Sequence, residues 1–524
     1  MTPAIDANAA PSLVSLGPDG HAYPIPPPEA LAAQLADIRE RAEAHRARGG
    51  QVVAVQGLGF VGSAVAGVIA SAQDSSGSPL YFVIGVDLAT PASYWKVAKM
   101  CAGDVPIPSP DAELTKLIAD CVRKVRNLTA TVVDEAYALA DTIVVDLPLD
   151  ISDRFTETVH DIDICLAPFE RALETIGRRM RPVALILVET TVPIGFCERV
   201  VLPILRRVRS ERGIETPVRL AHAYERVTPG PHYVDSIKRF RRTFSGVDAV
   251  SAAAARDFLA SFIDVESYPL CELDDTNASE MAKVLENSYR AVNIAFMYEW
   301  TLLAEKIGVN LFEIVESIRV RKGTHDNMRY PGFGVGGYCL TKDSLLAQWS
   351  ATTLFKTGIE LRVTLEALRI NNRMPLHTLD LAIQLAGGSL VGVPLAVAGI
   401  SYLAEVADTR NSPTEILIDE ALRIGANAVV TDPYLARWKE RSAIPMADDL
   451  DSAIAGAQGI IFTIAHKPYR ELTAEELRRR APRARFIIDG FDVIDDATAA
   501  ALHAAGIRVA GVGKGHWLKR GYHL

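Results

Sequence analysis

At 524 residues, about half of them apolar and 23% charged, the chain has the composition of an ordinary globular protein and room for two or three domains with full cores. Its formal net charge of −9 argues against a nucleic-acid footprint, which needs a clustered basic surface. No apolar run reaches the ~18 residues of a membrane span, and no basic region leads into an apolar segment at the N-terminus, so a cytoplasmic protein with no membrane partner is expected.

Residues 1 to about 28 are rich in Pro, Ala, Gly and Ser and end in Pro24-Ile25-Pro26-Pro27-Pro28, which predicts an extended or disordered arm. From Glu29 to Arg48 the pattern is helical, with Leu31, Leu35 and Ile38 on one face, and Gly49-Gly50 stops it. Gln51 to Val55 is then a short apolar run that leads into Gly57-Leu58-Gly59-Phe60-Val61-Gly62 and a small-residue helical stretch from Ser63 to Ser71. Strand, glycine turn and helix in that order give G-x-G-x-x-G its meaning as a dinucleotide site. Gly57 permits the turn, Gly59 lets a pyrophosphate approach the backbone, and Gly62 allows close helix packing, while the N–H groups at Phe60 and Val61 open the helix toward the phosphates. A second run, Tyr81 to Val86, ends at Asp87. A carboxylate there accepts hydrogen bonds from an adenosine ribose and repels a 2′-phosphate, so NAD is the expected cofactor.

Apolar runs at Thr142 to Val145 and Val183 to Val188 suit buried parallel strands. The second ends at Glu189-Thr190-Thr191-Val192-Pro193, and Thr191 is a candidate because ligands sit beyond the carboxyl ends of such strands. After another short apolar stretch comes Tyr224-Glu225-Arg226-Val227-Thr228-Pro229-Gly230, closing on a Pro-Gly turn. Asn277 to Val309 reads as one long helix with a capping-box-like Asn277-x-x-Glu280 start. Glu280, Lys283 and Asn287 share a face of it, and the apolar and aromatic residues elsewhere (Val284, Leu285, Ile294, Phe296, Trp300, Leu302, Leu303) predict a buried helix whose polar groups need partners.

The segment Gly332-Phe333-Gly334-Val335-Gly336-Gly337-Tyr338-Cys339-Leu340-Thr341-Lys342-Asp343 follows. Four glycines beside a thiol, with a Lys and an Asp within four residues, suit close approach by a substrate. Cys339 is therefore the candidate nucleophile. The other five cysteines lack such flanks and none forms a C-x-x-C pair, so no metal or dithiol site is expected. From Leu381 alternating runs return at Leu395 to Ala398, Ala428 to Thr431, Ile460 to Ile464, Phe486 to Ile488 and Val509 to Val512. The first leads to Tyr402, and the loop after it carries Arg410, a candidate for a forked contact with a phosphate or carboxylate.

Taken together, these segments resemble the UDP-glucose/GDP-mannose dehydrogenase family, from about residue 51 to the C-terminus. Gly336-Gly337-Tyr338-Cys339-Leu340-Thr341-Lys342-Asp343 looks like the family's G-G-x-C-x-x-K-D loop, supported by Gly57 to Gly62, Thr191-Val192-Pro193, Glu225-Arg226-Val227-x-Pro229-Gly230, Glu280-x-x-Lys283 with Asn287, and Asp408-x-Arg410-x-Ser412-Pro413. The resemblance implies an α/β protein of two Rossmann-like doubly wound parallel sheets joined by a long central helix. Its divisions would be an arm and short helix (1–50), an NAD-binding domain (51–265), a central helical domain with the cysteine loop (266–380) and a UDP-sugar-binding domain (381–524).

It also implies a four-electron oxidation of the C6 alcohol of a nucleotide-sugar to a carboxylate with two NAD in turn. Cys339 would carry a thiohemiacetal and then a thioester, Lys283 would stabilise oxyanion character, Asp343 and Glu225 would assist water activation or proton transfer, and Asn287 and Thr191 would orient water or substrate. Gly334, Gly336 and Gly337 would admit the sugar, Arg226, Tyr402 and Arg410 would line its site, and a homodimer would form through the central helix. The Glu-Arg-Val-x-Pro-Gly form leans toward the branch acting on UDP-N-acetylhexosamines. Two departures stand out: Tyr402-Leu403 where the family commonly has Tyr-Lys, and Leu147-Pro148-Leu149 without the usual Thr. Two alternatives stay open on the residues alone: a single-step NAD-dependent alcohol or hydroxyacid dehydrogenase, which does not need Cys339, and a non-catalytic NAD or nucleotide-sugar-binding protein.

Overall fold

A computed structural model describes residues 13–18, 20–107, 109–153, 162–227, 230 and 232–524. Residues 1–12 of the expected arm, and Thr228 and Pro229 of the Glu225 motif, lie outside them. The described chain divides into two compact units, one within residues 1–152, 163–284 and 349–357, the other within 153–162, 285–348 and 358–524.

In the first unit, β1 (Val14–Leu16) and β2 (Ala22–Pro24) pair antiparallel. Of the two expectations for the arm, its described part takes the extended one: Ser15 is buried, its hydroxyl donates to the Pro91 carbonyl at 2.7 Å and accepts from the Trp95 amide at 3.0 Å, and these bonds fasten the hairpin. The helix Pro28–Ala47 follows, turning off at Gly49 with a positive φ of 86°. The main sheet consists of β3 (Gln51–Gln56), β4 (Tyr81–Val86), β5 (Leu128–Thr131), β6 (Thr142–Val145), β7 (Leu185–Val188), β8 (Arg219–His222), β9 (Thr243–Gly246) and β10 (Cys271–Glu272), in the order β10-β9-β8-β7-β6-β3-β4-β5. All pairs are parallel except β8 with β9. From β3 the chain winds outward through β4 and β5, then returns to place β6 on β3's other side, so the β3/β6 border is the crevice where such sheets bind ligands. The dinucleotide helix, Phe60–Ala70, packs its Ala64, Val65, Val68 and Ile69 into this unit's core.

The second unit holds a five-stranded parallel sheet of β11 (Pro394–Ala398), β12 (Asn427–Thr431), β13 (Gly459–Phe462), β14 (Phe486–Asp489) and β15 (Arg508–Gly511), ordered β12-β11-β13-β14-β15. The helix Arg362–Leu385 packs on β14 and β15. None of the helices among the described residues is long and apolar enough to cross a membrane.

The long helix runs from Thr276 to Ile307, and the boundary between the units falls within it, after Val284. The expectation of a buried helix holds for one face and is corrected for the other. Glu280, Lys283, Val284 and Asn287 are buried, but Leu285 is 63% exposed, Tyr289 54%, Phe296 49%, Trp300 48% and Leu303 49%. Two stripes on one helix are responsible, a polar one turned inward and an apolar one turned to solvent. Its start is corrected too: Asp275 caps it by accepting from the Ala278 amide at 2.8 Å, and the Glu280 carboxylate is engaged elsewhere.

Candidate active site

The dinucleotide cradle in the first unit follows from its glycines. Gly57 has a φ of 93°, which favours glycine, and a Cβ there would collide with the Asp146 carbonyl. A Cβ on Gly62 would collide with the Gly57 carbonyl, so only glycine lets the helix start this close to the turn. Gly59 has open space where a Cβ would stand, which leaves the backbone accessible to a phosphate. Phe60 and Val61 are half-buried on the first helical turn, and the Phe60 carbonyl accepts from the Tyr233 hydroxyl at 2.6 Å. These residues fit a dinucleotide.

Asp87 is buried at the end of β4 and accepts from the Leu58 amide at 3.0 Å and the Leu88 amide at 2.7 Å. Lys96, which sequence reasoning missed, pairs with it at 2.7 Å. That cation arrives on the helix Tyr94–Ala102 through packing, and no local motif announces it.

Glu225, half-buried, accepts from the Val227 amide, and its carbonyl accepts from Lys283 Nζ at 2.7 Å. Lys283 Nζ also lies 5.5 Å from the Tyr224 ring centroid. Arg226 donates to the Tyr224 hydroxyl at 2.6 Å and to the Arg241 carbonyl at 2.9 Å. Thr191 is half-buried in the turn after β7. Glu280 accepts from the Gly195 amide at 2.6 Å and the Cys197 amide at 2.8 Å, tying the long helix to the first turn of the helical segment that begins at Cys197. Burial pushes its carboxyl up to about 8, against the opposing pull of those amides.

In the second unit the Cys339 carbonyl accepts from the amides of Lys342 at 3.2 Å and Asp343 at 3.0 Å, so the half-buried thiol stands on the turn that opens the helix Asp343–Trp349. Asp343 is held on both sides: Asn287 Nδ2 donates to Oδ2 at 2.7 Å, and Lys342 Nζ pairs with Oδ1 at 3.1 Å. All three are buried. Lys342, to which the sequence reading gave no role of its own, lies 4.4 Å from the Tyr338 ring centroid and supplies the charge that a buried carboxylate needs. Gly334, Gly336 and Gly337 were expected to make room for a sugar, but a Cβ on each would press on parts of this chain: Pro413 at 2.8 Å, Tyr402 at 2.6 Å and Tyr402 at 2.8 Å, respectively. Arg410 makes its forked contact with the carboxylate of Asp408, at 2.7 to 3.1 Å. Burial, reinforced by the Asp408 charge, pushes the Tyr402 phenol up to about 12.

Three domains of one family match along the chain: the NAD binding domain of the UDP-glucose/GDP-mannose dehydrogenase family at residues 51–263, its central domain at 277–373 and its UDP binding domain at 396–496. The UDP-N-acetyl-D-mannosamine dehydrogenase of Pyrococcus horikoshii is 30% identical over 471 residues, 88% of this chain and 99% of the relative. The chain belongs to the UDP-glucose/GDP-mannose dehydrogenase family. It is an NAD-dependent nucleotide-sugar dehydrogenase with a UDP-binding domain. The NDP-N-acetyl-D-galactosaminuronic acid dehydrogenase of Ralstonia nicotianae is 27% identical over 82% of this chain and 94% of the relative. Among solved structures, the UDP-D-ManNAc dehydrogenase of Pyrococcus horikoshii superposes with a TM-score of 0.74 at 27% identity, covering 89% of this chain and 100% of that one.

Glu280→Gln replaces one of two acceptor oxygens with an amide that faces an N–H, and should cost about 1–3 kcal/mol of stability. Because the folded-state carboxyl titrates at about 8, above its usual 4.5, the wild type binds an extra proton when folded between those values and loses stability as pH rises through that window. Melting temperatures measured across it should fall less steeply in the variant; equal slopes would contradict this assignment.

Proposed function

We propose that this chain oxidises the C6 alcohol of a UDP-N-acetylhexosamine to the uronic acid in two hydride transfers, with Cys339 as the covalent nucleophile. The observation that carries the reading is the buried Asn287–Asp343–Lys342 set on the turn that presents the half-buried Cys339 thiol. A nucleotide-sugar binder has no need of a nucleophile beside a carboxylate held in place by two neighbours, and a single-step alcohol dehydrogenase has no need of the thiol.

NAD, held at the turn from Gly57 to Gly62 and the first turn of the helix Phe60–Ala70, would supply the hydride acceptor for both oxidations. The alcohol loses a hydride and a proton to give the aldehyde, and the Cys339 thiolate adds to its carbonyl carbon to form a thiohemiacetal. Loss of a second hydride and a proton gives a thioester, and water then displaces the thiol, releasing the carboxylate. Lys283, fixed by the Glu225 carbonyl, offers the positive charge for oxyanion character during addition and hydrolysis. Asp343 and Glu225 take up protons from water or alcohol, and Asn287 and Thr191 orient them. Arg226, Tyr402 and Arg410 contribute to the substrate's surroundings, with Arg410 shaped by Asp408. The choice of a UDP-N-acetylhexosamine is supported by the names of the relatives in Pyrococcus horikoshii and Ralstonia nicotianae.

We also propose a homodimer through the long helix. Leu285, Tyr289, Phe296, Trp300, Leu303 and Ile307 recur at helical spacing and are all about half exposed or more, and contiguous apolar faces of this kind mark protein–protein contacts.

With UDP-N-acetylmannosamine, UDP-N-acetylglucosamine, UDP-glucose and GDP-mannose offered in turn, the preferred sugar should yield about two NADH per molecule consumed, and Cys339→Ala should lower acid formation by about a thousandfold or more. One NADH per sugar, unaffected by the substitution, would sink the thioester route. Sedimentation of Trp300→Glu/Leu303→Glu should give a monomer where the wild type gives a dimer; an unchanged mass in the pair of variants speaks against the helix as the interface.

A further inference from the structure

Residues 13–47 precede the family's NAD binding domain, which begins at residue 51, and two of their polar side chains converge on one acid of the dinucleotide crevice. β1 turns Ser15 inward and leaves Val14 and Leu16 exposed, the reverse of a strand packed for its apolar area. The Ser15 hydroxyl stands between the Pro91 carbonyl and the Trp95 amide, at 2.7 and 3.0 Å. Those two groups are four residues apart, the spacing of a helical hydrogen bond, so the hydroxyl completes the first rung of the helix Tyr94–Ala102. That helix's own N-cap residue, Ser93, makes no side-chain cap bond. Ser15 takes its place from 80 residues away, accepting from one of the first-turn N–H groups that a helix leaves unpaired.

Lys96 follows Trp95 on that first turn, and its Nζ pairs with Asp87 Oδ2 at 2.7 Å. The helix Pro28–Ala47 reaches the same acid from the other side. Gln34 donates to the Ala130 carbonyl at 3.2 Å and accepts from the Thr131 hydroxyl at 2.9 Å, both at the end of β5. The Thr131 carbonyl in turn accepts from the Asp87 amide at 3.2 Å. A hairpin and a helix thus fasten the two neighbours of Asp87 separately: the helix that brings its cation, and the strand end that holds its backbone.

We propose that residues 13–47 position the site for the adenosine ribose of NAD, with Ser15 acting through Lys96 and Gln34 through Asp87. Both are positioning residues for the cofactor. An ammonium carries three donors, of which Asp87 takes one, so the ion pair offers a ribose hydroxyl a donor and an acceptor side by side. With Lys96 already held, binding does not have to order a long side chain. Without Ser15 the first turn of its helix frays, Lys96 moves with it, and cofactor affinity falls.

The test is the dissociation constant of NADH, followed by its fluorescence on the full chain without sugar, so the outcome does not depend on the chemistry at Cys339. Ser15→Ala should raise the constant about fivefold, the size expected of a lost helix cap. Lys96→Met, which keeps the stem and drops the charge, should raise it about tenfold. The double variant should match Lys96→Met alone, because the serine acts through the lysine. Arg41→Ala, on the same helix as Gln34 but bonded to the Arg126 carbonyl before the start of β5, should leave the constant unchanged. Should Ser15→Ala fail to fold, Ser15→Cys, a weaker donor and acceptor of similar shape, serves in its place. A constant that either the Ser15 or the Lys96 substitution leaves unchanged, a Ser15 effect that persists in full beside Lys96→Met, or an equal rise in Arg41→Ala overturns the proposal.

Discussion

Polar groups taken out of water must find partners, and three of them on one stripe of the long helix set the terms for this protein. Glu280, Lys283 and Asn287 are all buried. The first is satisfied by the backbone amides of Gly195 and Cys197, the second by the carbonyl of Glu225, and the third by the carboxylate of Asp343. Each bond reaches a different loop, and each loop carries candidate site residues: the turn after Thr191, the Glu225 segment and the cysteine loop. A helix with ordinary surface residues at these positions would leave all three loops without their anchor. The opposite stripe of the same helix breaks the usual rule in the other direction, exposing aromatic and aliphatic side chains.

How much of this was legible in the sequence depended on how local the cause was. The dinucleotide cradle was readable because a glycine turn is a local requirement, and strands such as Tyr81–Val86 and Thr142–Val145 announced themselves as continuous apolar runs. β5, β9 and β10 gave no such signal, since Leu-Thr-Ala-Thr, Thr-Phe-Ser-Gly and Cys-Glu are strands only by virtue of the neighbours they pair with. The buried face of the long helix was legible from spacing. Its solvent-facing apolar stripe was not, because periodicity cannot tell a core from an uncovered surface. Long-range charge pairs such as Lys96 with Asp87, and the part Lys342 plays in holding Asp343, depend on tertiary packing and on which way a side chain turns.

The departures from the family pattern bear on how the substrate is held. Leu403, 40% exposed, puts no charge where a lysine is common. Arg410 is held by Asp408 through a forked contact, which fixes its guanidinium but also offsets its charge. The loop between them is tied to the segment after β13: the Glu405 amide bonds to His466 at 3.1 Å, and the Glu405 carboxylate accepts from the Lys467 amide at 2.6 Å.

The central claim is covalent chemistry at Cys339, and intact-mass analysis tests it most directly. The protein would be mixed with NAD and UDP-N-acetylmannosamine, quenched in acid within the first turnovers, and the adduct mapped by peptide fragmentation. The account predicts a sugar acyl group carried as a thioester on Cys339 and on no other cysteine. Full conversion of the sugar to the acid with no acyl adduct at any time, or with one on a different residue, would contradict it.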